Sequence, residues 1–180
     1  MQKIKITNSL TMVKCDENDF IYSNKEVYDW LSKILNSFDD DENLGWAKDY
    51  LENLNGDIFI DGKQVVIYVL KQRSQPISFL IFDGQKICLI WTHFDYVKLG
   101  FATILLRDAM IDLHNTGKTK FEIDAGKNNL IMQTLLESFS KIEGMKSTQN
   151  ELKNGNICYK FDTEAVKTDK VLQQIQKLVI

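Results

Sequence analysis

Between Gln64 and His93 three apolar runs follow one another with only turn residues between them, and at Gly100 the pattern switches to helical spacing. The runs are QVVIYVLKQ (64–72), PISFLIF (76–82) and KICLIWTH (86–93). They are apolar and partly β-branched, and Arg73-Ser74 and Asp83-Gly84 lie between them, so an antiparallel meander is expected. From Gly100 to Thr116 the residues Ala102, Leu105, Leu106, Ala109 and Leu113 form one stripe, and Gly117 stands where a helix C′ residue would. A meander that feeds straight into an amphipathic helix commits the chain to a sheet with helices packed on it.

The flanking segments extend that pattern. Residues ~3–13 read as a strand, and a short piece from Asp57 to Ile60 is a candidate to join the meander. Residues ~25–37 place Val27, Trp30, Leu31, Ile34 and Leu35 on one helical face, and the acidic run Asp39 to Glu42 opens a second helix. After Gly117, Phe121, Ile123 and Ala125 alternate with Glu122 and Asp124 as a strand. Asn129 is a helix N-cap, with Met132, Leu135, Leu136 and Phe139 inward behind it. Strands at ~144–149 and ~156–162 flank an Asn154-Gly155 turn, and a last amphipathic helix starts near Thr168. The order β, α, α, meander, α, β, α, β, β, α describes a mixed α/β domain with a sheet covered on both faces.

Composition narrows the function classes. A chain of 180 residues, 44% hydrophobic and 26% charged, is one ordinary globular domain and not a disordered one. A net charge of −3 with only Arg73 and Arg107 as arginines argues against phosphate-tracking nucleic-acid binding. No apolar run reaches the ~18 residues of a membrane span, and MQKIKITNSL carries no apolar signal region. Cys15, Cys88 and Cys158 are odd in number and far apart, which suits neither a disulfide framework nor zinc. With His93 and His114 as the only histidines, no metal site is expected, and the compartment expected is reducing and cytoplasmic. Trp30, Trp46 and Trp91 read as core, and Cys88 as an inert buried thiol.

Chemistry concentrates at one junction. The strand Ile87 to His93 turns through Phe94 to Leu99 into the helix at Gly100, reading VKLGFAT over Val97 to Thr103. A helix start leaves backbone N–H groups without partners and carries partial positive charge. Gly100 and Ala102 are small enough for a diphosphate to approach those groups, with no arginine required. The junction resembles the acetyl-CoA motif of the GNAT superfamily of N-acetyltransferases, Arg/Gln-x-x-Gly-x-Gly/Ala, on Val97, Lys98, Leu99, Gly100, Phe101 and Ala102. The following TILLRDAM looks like the family's next helix. Phe121, Ile123, Ala125 and Asn129, then Met132, Leu135, Leu136, Glu137 and Gly144-Met145, are similar to its downstream strand and helix. Val97 stands where the family has Arg or Gln, Leu136 where many members have an acid tyrosine, and extra residues separate Glu137 from Gly144.

The resemblance covers roughly residues 64–162. It implies a single GNAT-like domain over 1–180, with 163–180 as a C-terminal helical extension. It implies acetyl-CoA as cofactor, held by Thr92, Phe94, Val97, Lys98, Leu99, Gly100, Phe101, Ala102, Thr103 and Asn129. The reaction implied is direct attack of a primary amine, from a small molecule or a protein, on the thioester in a ternary complex. A backbone N–H near Thr92 to Phe94 would stabilise the oxyanion. The ammonium must first lose a proton, for which His93 and Asp95 are candidates, and Tyr96 and Tyr159 are stand-ins for the missing acid. A second copy could pair through a sheet edge or the C-terminal helix. The competing expectation, from Val97 and Leu136, is a catalytically inactive GNAT-fold binding module. Acetylation of aminoacyl-tRNA, as some family members perform, sits poorly with the charge balance.

Overall fold

The computed structural model describes residues 2–5, 10–15, 59–60, 63–73 and 75–167. The helices expected at 25–37, behind the acidic run and from Thr168, with Trp30 and Trp46, lie outside the described residues.

Strands β1 (Gln2–Lys5) and β2 (Leu10–Cys15) pair antiparallel, Gln2 opposite Lys14. The single strand expected over ~3–13 is therefore two. Thr7, Asn8 and Ser9 are turn formers, and they interrupt the alternation. Of the piece from Asp57 to Ile60, the described residues Phe59 and Ile60 do not join the meander either. Among the described residues, strand β3 (Phe59–Ile60) pairs with β4 (Lys63–Gln64) in a separate two-stranded sheet. The intervening sequence Asp61-Gly62 is a strong tight-hairpin signal, so the segment pairs with itself.

The meander is β5 (Val66–Gln72), β6 (Gln75–Phe82) and β7 (Lys86–Thr92). A short 3₁₀ turn (Phe94–Tyr96) leads to helix α1 (Phe101–Asn115), then β8 (Lys120–Ala125) and helix α2 (Leu130–Ser140). Strands β9 (Lys146–Glu151) and β10 (Ile157–Asp162) follow. The main sheet has the order β1-β2-β5-β6-β7-β8-β10-β9 and is mixed, since β7 pairs parallel with β8 while β1–β2, β2–β5, β5–β6, β8–β10 and β9–β10 are antiparallel.

The chain divides into two units. The first takes Met1–Gly84 and Leu89–Leu105. In it β6 is buried on both faces from Ile77 to Phe82, which is why its sequence runs apolar instead of alternating. Ser78, with no exposed surface, is the one polar residue in that run. Its hydroxyl donates to the Trp91 carbonyl at 2.6 Å and lies 2.8 Å from the Thr92 hydroxyl, so its burial is compensated. Those two bonds fix the end of β7 just before the junction.

The second unit takes Gln85–Cys88 and Leu106–Ile180. Here the start of β7 runs beside β8, Ile87 opposite Ile123, and β8 pairs with β10. Phe121, Ile123, Ala125, Tyr159 and Phe161 are buried on one face. Lys86, Glu122, Asp124, Cys158 and Lys160 occupy the other, joined by Lys86–Asp124 at 2.5 Å and Lys160–Glu122 at 2.6 Å. Burial, followed by the neighbouring Asp124 and Glu122 carboxylates, pushes the Cys158 thiol up from 9.0 to about 11. Burial pulls the Lys86 ammonium down, but Asp124 outweighs it and leaves the group raised. Cys88 is half-buried, not fully buried as expected, because it sits on this polar face.

Helix α1 ends as its sequence predicts. Gly117 N–H donates to the His114 carbonyl at 3.0 Å and Lys118 N–H to that of Leu113 at 2.8 Å, the paired bonds of a Schellman motif. Gly144 has φ +86, and a Cβ there would stand 2.5 Å from the Ala165 carbonyl oxygen, so only glycine fits.

Candidate active site at the strand-to-helix junction

The junction lies within the first unit, and its backbone is set by two left-handed residues, Lys98 at φ 66 and Gly100 at φ 82. Glycine takes that conformation freely, whereas for lysine it costs about 1 kcal/mol, a strain that concentrates at functional turns. The turn satisfies part of itself. Tyr96, Val97 and Leu99 donate to the carbonyls of His93, Phe94 and Tyr96 at 2.8, 3.3 and 3.4 Å. The first bond of α1 is Ile104 N–H to the Gly100 carbonyl at 3.0 Å. Among the described residues, no acceptor takes the amides of Gly100, Phe101, Ala102 or Thr103. These are the donors a helix start leaves open, at the positive end of a fifteen-residue dipole.

An aromatic series supports the turn from below. Trp91 lies 5.5 Å from Phe79 and 6.1 Å from His93, ring centre to ring centre. His93 stacks on Phe94 at 4.4 Å and meets Tyr96 at 5.7 Å, and Tyr96 meets Phe101 at 5.8 Å. Each such pair is worth ~0.5–1.5 kcal/mol beyond area burial. Phe94, Val97 and Leu99 remain exposed on the turn, at 55%, 42% and 58%.

The polar groups here have defined partners. The His93 N–H donates to the Ile77 carbonyl at 2.9 Å, so that amide is not available to an oxyanion. Backbone direction alternates along a strand, so the Thr92 N–H points to the opposite edge of β7. The His93 ring accepts from the Asp95 N–H through Nδ1 at 3.3 Å, capping the 3₁₀ turn, and the Asp95 carboxylate lies 3.7 Å from that nitrogen. A neutral ring engaged in this way carries its proton on Nε2. The Asp95 side chain is largely exposed.

The structure therefore brings together Thr92, His93, Phe94, Asp95, Tyr96 and Val97 to Thr103 in one continuous turn. Asn129 and Tyr159 belong to the second unit. Asn129 is the N-cap of α2, its side chain accepting from the Met132 N–H at 3.0 Å. Gln133 adds bonds to the Gly126 and Lys127 carbonyls at 2.9 and 3.1 Å. Tyr159 is 2% exposed on β10, and burial, then the charge of Glu137, holds its hydroxyl above the usual tyrosine range. Leu136 is fully buried in α2. Sequence reading missed Ser78, whose only signal was a lone hydroxyl inside PISFLIF. It named Lys98 but not its left-handed backbone, which no composition rule marks. Among the described residues, no cluster of His, Cys, Asp or Glu could hold a metal, and no helix is long and apolar enough to cross a membrane.

No family model matches the chain, and no curated protein matches it in sequence. Solved structures do match. The PaiA N-acetyltransferase of Thermoplasma acidophilum, crystallised with coenzyme A, superposes with a TM-score of 0.53 at 8% identity, over 84% of this chain and 98% of that one. The ribosomal-protein-S18-alanine N-acetyltransferase of Escherichia coli gives 0.53 at 15% identity, over 84% and 91%. A GNAT-family acetyltransferase of Staphylococcus aureus gives 0.53 at 10% identity, over 86% and 99%. At such identities the likeness is one of fold, and the chain has the GNAT acyl-CoA N-acyltransferase fold.

Proposed function

We propose that the chain is an acetyl-CoA-dependent N-acetyltransferase acting on a primary amine. The observation that carries this is the open row of amides from Gly100 to Thr103, behind a turn held by left-handed Lys98 and Gly100. Such a row suits a diphosphate: its donors lack partners among the described residues, the first turn of α1 carries no side-chain carboxylate, and Gly100 brings no side chain of its own. The structural neighbour crystallised with coenzyme A has the same fold and supports the assignment.

In this reading the amides of Gly100, Phe101, Ala102 and Thr103 hold the diphosphate, with Lys98 adding a cation at the turn. Phe94, Val97 and Leu99 give the cofactor an apolar rim. Acetyl-CoA, when bound, supplies an acyl group activated as a thioester. The Thr92 N–H, directed away from β6, is the donor for a carbonyl oxygen on that edge of β7. An amine enters as its ammonium, near ~10.4 in pKa for a lysine-like group, and must be deprotonated before it is nucleophilic. Asp95, exposed beside the turn, attracts the ammonium and accepts its proton through water. His93, with Nδ1 engaged by the Asp95 amide, presents Nε2–H as a donor and is the candidate hydrogen-bond partner for a departing thiolate.

The test is release of free CoA thiol from acetyl-CoA on addition of a panel of primary amines. Amine-dependent release is expected, and its absence with coenzyme A still binding would reject the catalytic reading. A second reading then stands, favoured by the buried, proton-less Leu136 and the apolar Val97: a GNAT-fold module that binds its ligand without turnover.

A further inference from the structure

Ser78 is a hydroxyl with no exposed surface inside the stretch of β6 that is otherwise apolar from Ile77 to Phe82. Burying a hydroxyl costs more than burying an alanine or valine in its place, and bonding it offsets that cost without a large net gain. The bonds it makes do not serve β6. Both cross to the last two residues of β7, the Trp91 carbonyl at 2.6 Å and the Thr92 hydroxyl at 2.8 Å.

Proton counting gives these bonds a direction. A carbonyl only accepts, so the single Ser78 proton lies on the Trp91 oxygen, and the contact with Thr92 must use the Thr92 proton. The order is Thr92 hydroxyl to Ser78 hydroxyl to Trp91 carbonyl, and each bond in such a chain polarises the next.

The carbonyl at the end of that chain shares its peptide group with a functional donor. The Trp91 C=O and the Thr92 N–H are the two ends of one planar trans unit, so they point in opposite directions. With its oxygen held by Ser78 of β6, the unit directs its N–H to the far edge of β7. Among the described residues, no acceptor takes that N–H. It is the amide assigned above to the thioester oxygen. The next amide along, that of His93, is spent on the Ile77 carbonyl. Ser78 thus grips the back of the Trp91–Thr92 peptide, and by drawing charge onto the carbonyl oxygen it makes the N–H a stronger donor.

We propose that Ser78 is a positioning residue for acyl transfer: from inside the sheet it holds and polarises the Trp91–Thr92 peptide so that the Thr92 N–H meets the charge developing on the thioester oxygen. This inference rests on the acetyltransferase reading. As the amine nitrogen bonds to the thioester carbon, the C=O π pair moves onto oxygen, against that N–H. The C–S bond then breaks, C=O re-forms, and the departing thiolate receives the proton that the new amide nitrogen sheds.

The experiment measures amine-dependent thiol release per folded chain, together with backbone amide spectra. Ser78→Ala should lower kcat about tenfold while leaving the amine KM and the coenzyme A Kd within about twofold. The loss is smaller than the roughly hundredfold or more for deleting such a donor, because the N–H remains but is less firmly held. Ser78→Thr keeps the hydroxyl and should bring kcat back to within about threefold of wild type. Ser78→Cys, nearly isosteric and a weak donor, carries the alanine prediction if Ser78→Ala does not fold. Ile81→Val, a packing loss in the same strand, should leave kcat within about twofold, which separates positioning from a general loosening of the sheet. In the wild type the Thr92 amide should move when acetyl-CoA replaces coenzyme A. With no ligand present, Ser78→Ala should shift the Thr92 amide nitrogen, since the lost bond ends on the same peptide group. The proposal is overturned if Ser78→Ala leaves kcat unchanged, if its loss falls in KM or coenzyme A affinity instead, or if Ile81→Val costs as much. It is equally overturned if acetyl-CoA moves Thr92 no more than coenzyme A does. Wild-type chain that releases no thiol with any amine would instead reject the acetyltransferase reading itself, and this inference with it.

Discussion

The two described helices start in opposite ways. Helix α2 is closed at its start by Asn129, whose side chain takes the Met132 amide, and by Gln133, whose amide group ties down the preceding loop. Helix α1 starts on a left-handed glycine and, among the described residues, has no side-chain cap and no acceptors for the amides of Gly100 to Thr103. Capping by Asn is worth ~1 kcal/mol, and glycine in place of a cap loses only a few tenths. Stability therefore gives little reason to leave α1 open. The difference is what a binding function would require: a capped start has used donors that an open start can offer to an anion.

Several substitutions would break or sharpen that contrast. The largest effect is expected at Gly100. Gly100→Glu puts a carboxylate where the phosphate would lie and should weaken coenzyme A binding about a hundredfold or more, ~2.7 kcal/mol by calorimetry. Gly100→Ala separates charge from backbone strain. It should cost about 1 kcal/mol of folding stability at the positive φ but less than about tenfold in affinity. Next, Val97→Arg should tighten coenzyme A about tenfold by adding a charge-assisted bond, with steeper salt dependence. If it has no effect, Val97 does not face the phosphates. At the closed start, Asn129→Ala should lower stability by about 1 kcal/mol in thermal denaturation and leave coenzyme A affinity within about twofold. A collapse of affinity there would erase the contrast.

The smallest effect is a control that alters neither helix start. The Cys158 thiol holds its proton to about 11 in the folded chain, against 9.0 ordinarily. The unfolded chain therefore loses that proton first, and stability falls as pH rises from 9.0 towards about 11. Thiolate absorbance should appear late in that window, and Cys158→Ser should flatten the slope.

Much of this fold was legible because its signals are local. The three apolar runs became β5, β6 and β7, the period-2 alternation around Ile123 became β8, and Gly117 and Asn129 capped the helices they were read to cap. What failed was also local in origin. The stretch ~3–13 reads as one strand because Ile4, Ile6, Leu10 and Met12 keep the same parity on either side of Thr7 to Ser9, and a two-residue pairing such as Phe59–Ile60 is too short to show a period. At the site, sequence reading located the junction through Gly100 and Ala102. It could not show that the His93 amide is taken by Ile77, because that bond depends on register between β6 and β7. Nor could it show that the buried Tyr159 hydroxyl feels the charge of Glu137, two residues far apart in the chain.

The central claim is that the open amides at the start of α1 bind a diphosphate. The most direct measurement is a coenzyme A titration of the folded chain read by backbone amide shifts. The account predicts saturable movement centred on Gly100, Phe101, Ala102 and Thr103, with Met132 at the capped start of α2 much less affected. Unmoved amides at Gly100 to Thr103 with millimolar coenzyme A present, or movement centred on α2 instead, would contradict it.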